Sequence, residues 1–115
     1  MRTLSPPPGW FPKRGEVYLV QLDKPRPALI LSVNQLNKHA FDVCVVSITT
    51  KRHIKFSMRV ALQAGDGGLN FDCWAKCDQV TTLPKNLLRY PPLGMLQPQS
   101  MFQIEEQVRV ALGLL

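Results

Sequence analysis

Apolar residues along this chain are spaced as in a series of short strands. The sequence predicts strands over residues 16–22, 28–33, 42–49 and 56–62 and within 72–83. The run at 28–33 is continuously apolar, as in a strand covered on both faces, whereas 56–62 alternates apolar and polar residues. Residues 87–95 stay ambiguous because two prolines interrupt them.

Proline, glycine and polar residues separate the predicted strands. Residues 23–27 contain two prolines, which cannot donate to a sheet ladder, and are therefore predicted to form a turn. The polar segment 34–40 predicts a loop or one short helical turn. The Gly-Asp-Gly-Gly sequence at 65–68 predicts another turn.

The last segment of the chain has the periodicity of a helix. Its apolar residues recur at intervals of three and four, at Met101, Ile104, Val108, Ala111 and Leu115. Pro98 near the start and Gly113 near the end are typical helix boundaries. Such a stripe packs on the core more often than on a partner, so we expect the helix to cover the sheet.

Strands followed by one helix predict a mainly β fold with a C-terminal helix, built as a small, strongly bent sheet or partial barrel. The length of 115 residues fits one domain. Residues 1–12, with three consecutive prolines, are predicted to be a flexible N-terminal tail, and 13–115 the single barrel domain.

The charge of the chain points to a polyanionic partner. The formal net charge is +6 and the pI about 9.6, which favours nucleic acid, although many proteins are mildly basic for no specific reason. Basic residues crowd one short stretch, at Lys51, Arg52, His53, Lys55 and Arg59. We see neither a signal peptide nor an apolar run near the roughly 20 residues of a membrane-spanning helix, so we expect a cytoplasmic protein without membrane contact.

The three cysteines predict neither a disulfide nor a metal site. Cys73 and Cys77 share one face of a predicted strand. Four residues separate them by about 13 Å, too far for a disulfide, and neither histidine lies near them in sequence. We therefore expect reduced thiols, no zinc and no cofactor.

Several polar residues at strand ends are candidates for chemistry. Arg26 lies between two prolines, which restrict its direction, and its guanidinium is a fixed fork suited to phosphate. Thr49 ends a predicted strand just before the basic stretch, where a hydroxyl can donate to a phosphate oxygen. Lys76 and Asp78 share a face of an apolar strand, so they form either a salt bridge or part of a wet functional groove.

Taken in order, these segments resemble the MazF/PemK/Kid family of toxin endoribonucleases. The resemblance extends from about residue 12 to residue 114. Its segments are 13–18, 26–32 with the arginine-proline pair, Asn37, 47–50, the glycine turn at 65–69, the aspartate-glutamine strand at 75–80 and the closing helix at 108–114.

The resemblance implies a small PemK-like barrel related to SH3 folds, working as a homodimer. It implies cleavage of single-stranded RNA at short sequences, without a metal, by attack of a ribose 2′-OH on the adjacent phosphate. Arg26 would stabilise the phosphorane, Thr49 would hold a phosphate oxygen, and Asp78 would accept the 2′-OH proton. Lys76 stands where the plasmid toxins of the family have an arginine that acts as the acid.

The same resemblance indicates how RNA and a protein partner would bind. The expected RNA-binding residues are Lys24, Thr50, Lys51, Arg52, His53, Lys55 and Gln79. An acidic antitoxin would suit the basic stretch. Most relatives have around ten more residues before the arginine-proline pair, so the site of this chain should be more open.

Two other functions compete with RNA cleavage. The first is a module of the same fold that binds RNA or protein without cutting. The second is a gyrase poison, since related toxins share this barrel. Those toxins end in a helix with a terminal tryptophan, whereas this chain has no aromatic residue after Phe102.

Overall fold

A computed structural model describes residues 4–51 and 58–114 and contains one antiparallel sheet and two helices within them. The sheet has the strand order β4-β5-β3-β2-β1-β6. Its strands are β1 Glu16–Gln21, β2 Pro25–Ile30, β3 Asp42–Thr49, β4 Arg59–Leu62, β5 Cys73–Pro84 and β6 Leu88–Met95. The helices are the short α1, Asn34–His39, and the longer α2, Pro98–Leu112.

The edges of the sheet approach each other through the turn that follows β4. A 3₁₀ turn, Asp66–Gly68, packs against β6 on the opposite edge. A Cβ added to Gly68 would lie 1.9 Å from the carbonyl oxygen of Leu93, and one added to Gly94 would lie 2.7 Å from the backbone of Gly67. Only glycine permits so close an approach of two backbones, and this contact coils the sheet into a small barrel.

The sheet is buried on both faces. On one face, Val17, Leu29 and Val46 belong to one apolar cluster with Ile104 and Val108 of α2, so the described part of the helix stripe covers the sheet as predicted, and Leu115 lies outside the described residues. The other face carries a second apolar cluster, whose residues are Tyr18, Val20, Ala28, Ile30, Val43, Val45, Leu83 and Leu88. The continuous apolar run around β2 predicts a strand covered on both faces, and its side chains do enter both clusters.

A carboxylate outside α2 anchors the start of that helix. Oδ1 of Asp66 accepts a hydrogen bond from the backbone N–H of Gln97 at 2.9 Å, and Oδ2 accepts one from the Ser100 hydroxyl at 2.5 Å. The N-cap residue Gln97 makes no capping hydrogen bond with its own side chain. Asp66 therefore supplies both the acceptor and the negative charge that a helix N-terminus favours.

We expect Asp66→Ala to lower the free energy of unfolding by about 1–2 kcal/mol, because it removes a charged cap and two hydrogen bonds. Urea denaturation followed by circular dichroism measures the change. Glu106→Ala, on the exposed side of the same helix, is the control and should stay within about 0.5 kcal/mol of wild type. Equal stability of the two variants would contradict this account of the helix start.

Two predicted strands differ in their bounds, and the structure decides two segments that the sequence left open. Strand β2 begins at Pro25, inside the predicted turn, because it pairs with β1 from Pro25 but with β3 only from Ala28. Its prolines therefore lie where one side of the strand has no ladder to donate to. The ambiguous segment 87–95 forms edge strand β6, and 34–40 contains α1. Of the predicted strand at 56–62, residues 56 and 57 lie outside the described part, and β4 begins at Arg59.

Residues 4–12, predicted to belong to a flexible tail, have defined neighbours on the sheet. The backbone N–H of Leu4 donates to the carbonyl of Tyr90 at 3.0 Å. The Trp10 ring meets Tyr18 and Tyr90 edge-on, with centroids 6.1 and 6.0 Å apart, and Pro12 is buried. Trp10 thus covers the second apolar cluster. The division into tail and domain itself stays a prediction.

The cysteines are free thiols, as predicted, and burial raises the pKa of both Cys73 and Cys77, the latter to about 11. Such thiols are poor nucleophiles at neutral pH. Within the described residues, we find no helix with the length and apolar character needed to cross a membrane.

Candidate functional site

A cavity of about 440 Å³ opens where β2 and β3 separate. The two strands pair from Ile30 to Ala28, opposite Val45 to Ser47, and then diverge, because β2 continues alongside β1 alone. The polar lining residues are Arg26, Ser47, Thr49, Lys76, Thr81 and Thr82. The apolar lining residues are Val20, Leu22, Pro27, Ala28, Val45, Ile48, Leu83, Pro84 and Leu87. The cavity therefore has an apolar wall beside a basic, hydroxyl-rich one.

Three of the four predicted catalytic residues reach this cavity from three different strands. Arg26 comes from the start of β2, Thr49 from the end of β3 and Lys76 from the first third of β5. The remaining one, Asp78, lies outside the described lining. The geometry thus brings together the guanidinium, hydroxyl and ammonium groups that the sequence singled out.

An irregularity in β5 carries Lys76 into the cavity. While β3 advances from Val46 to Ile48, its partner positions on β5 jump from Val80 to Ala75. The intervening residues 76–79 leave the β3 ladder as a bulge, and the Cys77 N–H donates instead to the carbonyl of Met58. The bulge explains how an aspartate-glutamine pair can lie inside an apolar strand.

The alternatives left open for Lys76 and Asp78 are answered separately by the structure. Lys76 lines the cavity, whereas Asp78 forms a salt bridge with Arg59 of β4. Nη1 of Arg59 lies 2.6 Å from Oδ1 of Asp78. Lys76 and Asp78 alternate with the buried Cys77, as their equal parity predicts, but the ion-pair partner of Asp78 is Arg59 and not Lys76.

Arg59 is the residue that sequence reasoning missed. The sequence indicates it only as one charge of the basic stretch. The structure places it directly opposite Lys76 in the β4–β5 ladder, with only 10% of its side chain exposed. A signal existed in the alternation of 56–62, which puts Arg59 on the face opposite the apolar residues. Ser47, another lining residue, carried no signal in the sequence.

The charges around the cavity make it electropositive. The pKa of Lys76 is lowered by burial and by the positive charges of Arg59 and Arg26, and Asp78 opposes this shift. Arg26 is about half-exposed and has a long contact of 3.5 Å from Nε to Oδ1 of Asp23. A hydrogen bond from Arg26 is the main cause of the lowered pKa of Asp23. The other N–H groups of the Arg26 guanidinium are suited to bind an anion.

Thr49 has its hydroxyl oriented by the chain that follows it. The backbone N–H of Lys51 donates to Oγ1 of Thr49 at 3.1 Å. The oxygen is thus used as an acceptor, which leaves its O–H as a donor. A donor hydroxyl beside Arg26 and Lys76 suits a phosphate oxygen.

None of the predicted RNA-binding residues that the structure describes lines the cavity, but each is close in sequence to a residue that does. Lys24, Thr50, Lys51 and Gln79 are exposed, and each is within three residues of a lining residue. Arg52, His53 and Lys55 lie outside the described residues. Over 4–51 and 58–114, the structure has no cluster of three His, Cys, Asp or Glu side chains that could hold a metal ion.

Comparisons of the sequence identify related proteins. A profile of the family described as PemK-like, MazF-like toxin of type II toxin-antitoxin system matches residues 13–112. Endoribonuclease MazF9 of Mycobacterium tuberculosis is 28% identical over 116 residues, covering 89% of this chain and 97% of the relative. Endoribonuclease MazF1 of Mycobacterium bovis is 35% identical over 104 residues, covering 90% of this chain and 94% of the relative.

Solved structures have the same fold. A mycobacterial endoribonuclease in complex with its cognate antitoxin aligns with a TM-score of 0.80 at 35% identity, covering 90% of this chain and 97% of that chain. A MazE-MazF structure from Deinococcus radiodurans aligns with a TM-score of 0.79 at 19% identity, covering 92% and 99%. At that identity the likeness shows the fold alone. The predicted mainly β barrel with a C-terminal helix is confirmed.

Proposed function

This chain belongs to the PemK-like, MazF-like toxins of type II toxin-antitoxin systems, and we propose that it cuts single-stranded RNA in the cavity between β2 and β3. The observation that carries the proposal is the convergence of Arg26, Thr49 and Lys76 on that cavity. Two cations and a donor hydroxyl match the charge and hydrogen-bonding needs of a phosphodiester that becomes a phosphorane. The activity is that of an endoribonuclease, like that of the named relatives.

Cleavage needs a nucleophile, a stabilised intermediate and a protonated leaving group. The ribose 2′-OH attacks the adjacent phosphorus, and the bond to the 5′-oxygen breaks. Arg26 and Thr49 bind the non-bridging oxygens and stabilise the added negative charge. Lys76 donates a proton to the departing 5′-oxygen, for which its lowered pKa is favourable. No step in this scheme uses a metal ion.

The proton of the 2′-OH needs an acceptor, and Asp78 stays the proposed one. Its carboxylate is held by Arg59 through Oδ1, at the bulge next to Lys76, and 40% of the side chain is exposed. RNA would reach it from the rim of the cavity. The aliphatic wall that includes Leu22 and Leu87 would accept the flat face of a neighbouring base.

A protein partner follows from the family. A solved structure of a relative holds an endoribonuclease together with its cognate antitoxin. We propose an acidic antitoxin segment for this chain, bound to the basic stretch that runs from Lys51 to Arg59. A homodimer and a cytoplasmic location, where free thiols stay reduced, complete the proposal.

A non-cutting RNA-binding module is the second candidate, and the open mouth of the site favours it. Only Leu22, Asp23 and Lys24 connect the paired residues Gln21 of β1 and Pro25 of β2, and all three are exposed. A short connection leaves the cavity accessible to water, which weakens electrostatic stabilisation. A gyrase poison has less support, because the matched relatives are named endoribonucleases.

The proposed function predicts cleavage of single-stranded RNA in the presence of EDTA. We expect products with 2′,3′-cyclic phosphate and 5′-OH ends, because the 2′-OH is the nucleophile. Mass spectrometry of a short substrate after mapping of the cut site identifies the ends. The matched control carries a single 2′-deoxynucleotide at the cut site and should remain intact.

Three other results would contradict the proposal in different ways. Cleavage of the deoxy control would remove the 2′-OH from the mechanism. Cleavage that EDTA abolishes would require a metal. Binding of the RNA without cleavage would establish the non-cutting module instead.

A further inference from the structure

The salt bridge beneath the bulge of β5 is more than a surface contact. Arg59 is nine-tenths buried, and its Nη1 reaches Oδ1 of Asp78 at 2.6 Å. Its Nε is also buried and has no hydrogen-bond partner among the described residues. A buried donor without a partner is costly, and a buried ion pair adds little net stability. Stability is therefore a weak explanation for an arginine at this position.

A role in positioning the neighbouring bulge explains the buried Arg59 better than stability does. The bulge 76–79 has left the β3 ladder, so its position relies on the buried Cys77 side chain and on attachments to β4 and to Met58, which precedes that strand. Two of these are the opposed pair Arg59 and Lys76 and the hydrogen bond from Cys77 to Met58. The ion pair with Asp78 adds a third, from the side chain. Together they hold the one segment that carries Lys76 into the cavity.

On the basis of the proposed function, we infer that Arg59 is a positioning residue for RNA cleavage, which fixes Asp78 and presents Lys76 to the scissile phosphate. It acts through these two side chains rather than on the substrate. Neither the family comparison nor the sequence pattern assigns it a role in cleavage.

The charge of Arg59 gives this role a measurable consequence. The described groups that set the charge around Lys76 are Arg59 on β4, Arg26 on β2 and Asp78 on its own strand. Positive neighbours disfavour the charged ammonium, so Arg59 contributes to the lowered pKa of Lys76. Removal of Arg59 should raise that pKa, both by the lost cation and by leaving Asp78 unpaired beside Lys76. Activity that needs a protonated Lys76 should then persist to higher pH.

The test compares Arg59→Gln and Arg59→Lys with wild type over a range of pH. For Arg59→Gln we expect kcat to fall about tenfold or more with a smaller change in KM, and the falling basic limb to move to higher pH. Arg59→Lys keeps the charge, so its basic limb should stay near that of wild type. Arg14→Gln, which breaks an ion pair with Glu105 on α2, is the matched control and should leave both kcat and the limb unchanged.

A double-mutant cycle tests whether Arg59 acts through Asp78. If it does, Arg59→Gln combined with Asp78→Asn should lose little more kcat than the more damaging single variant. Fully multiplicative losses would overturn this part of the inference. An unchanged kcat in folded Arg59→Gln would also overturn the inference. The same holds for a kcat lowered equally at every pH with an unmoved basic limb, which is the result expected of a purely structural role.

A readout without cleavage separates this inference from the proposed function. Reductive ¹³C-methylation of the lysines allows the pKa of Lys76 to be measured by NMR, with Lys76→Arg to assign the signal. A rise in Arg59→Gln but not in Arg59→Lys supports the positioning contact even if wild type cuts no RNA. Absence of cleavage by wild type would refute the proposed function, and an unmoved Lys76 signal in Arg59→Gln would refute the role of Arg59.

Discussion

Replacing Gly68 by alanine is expected to destabilise this protein more than any other single methyl addition among its described glycines. The new Cβ would lie 1.9 Å from the carbonyl oxygen and 2.4 Å from the carbonyl carbon of Leu93. Both are backbone atoms, so no side-chain rotation relieves the overlap. The 3₁₀ turn and β6 must move apart, which opens the contact between the two edges of the sheet. We expect a loss of about 4 kcal/mol or more, or failure to fold.

The conformational part of this loss can be separated from the steric part. Gly68 has φ +74°, and Gly113, at the end of α2, has φ +70° with nothing within 4 Å of an added Cβ. Gly113→Ala should therefore cost only the roughly 1 kcal/mol of a left-handed non-glycine residue. Urea denaturation followed by circular dichroism compares the two variants. Similar stabilities would mean that the contact between the turn and β6 does not close the barrel.

The sequence predicted the turn at 65–68 but not what this turn contacts. Glycines next to an aspartate indicate positive φ locally. The partner, Leu93, comes from the segment that stayed ambiguous because of Pro91 and Pro92. Local rules disfavour proline in a strand, whereas the edge position of β6 tolerates it. Closure of the barrel is therefore a tertiary fact that local sequence patterns do not contain.

The candidate site shows the same division between local and tertiary information. Arg26 and Thr49 are predictable, because Arg26 precedes and Thr49 ends a strand with a clear apolar pattern, and each bears a group suited to phosphate. Alternation predicts Lys76 and Asp78 on one face, and the buried Cys77 between them keeps that alternation in the structure. Alternation does not contain the bulge at 76–79 or the pairing of β5 with two different strands, β3 and β4. The role of Arg59 depends on the same pairing and was missed with it.

Arg26→Ala is the substitution with the largest expected effect on activity. The Arg26 side chain brings a planar fork of donors to the mouth of the cavity, between two prolines that limit its backbone. Its only described side-chain contact is the long one to Asp23, so the substitution should leave the fold intact. Removal of one principal stabiliser of a developing anion typically lowers kcat by about 10²–10³-fold. We expect a loss of that size in RNA cleavage, with RNA binding reduced far less.

Two variants sharpen the interpretation of that loss. Arg26→Lys keeps the positive charge but not the bidentate fork, so its activity should lie between those of wild type and Arg26→Ala. Arg89→Ala is the control, because Arg89 of β6 donates a hydrogen bond to Gln21 and is not among the described lining residues of the cavity. It should change the rate of cleavage by less than about threefold. Single-turnover cleavage with saturating protein separates the chemical step from binding. If Arg26→Ala cuts as fast as Arg89→Ala, the phosphate does not bind where β2 and β3 diverge, and the active site must be sought elsewhere on the barrel.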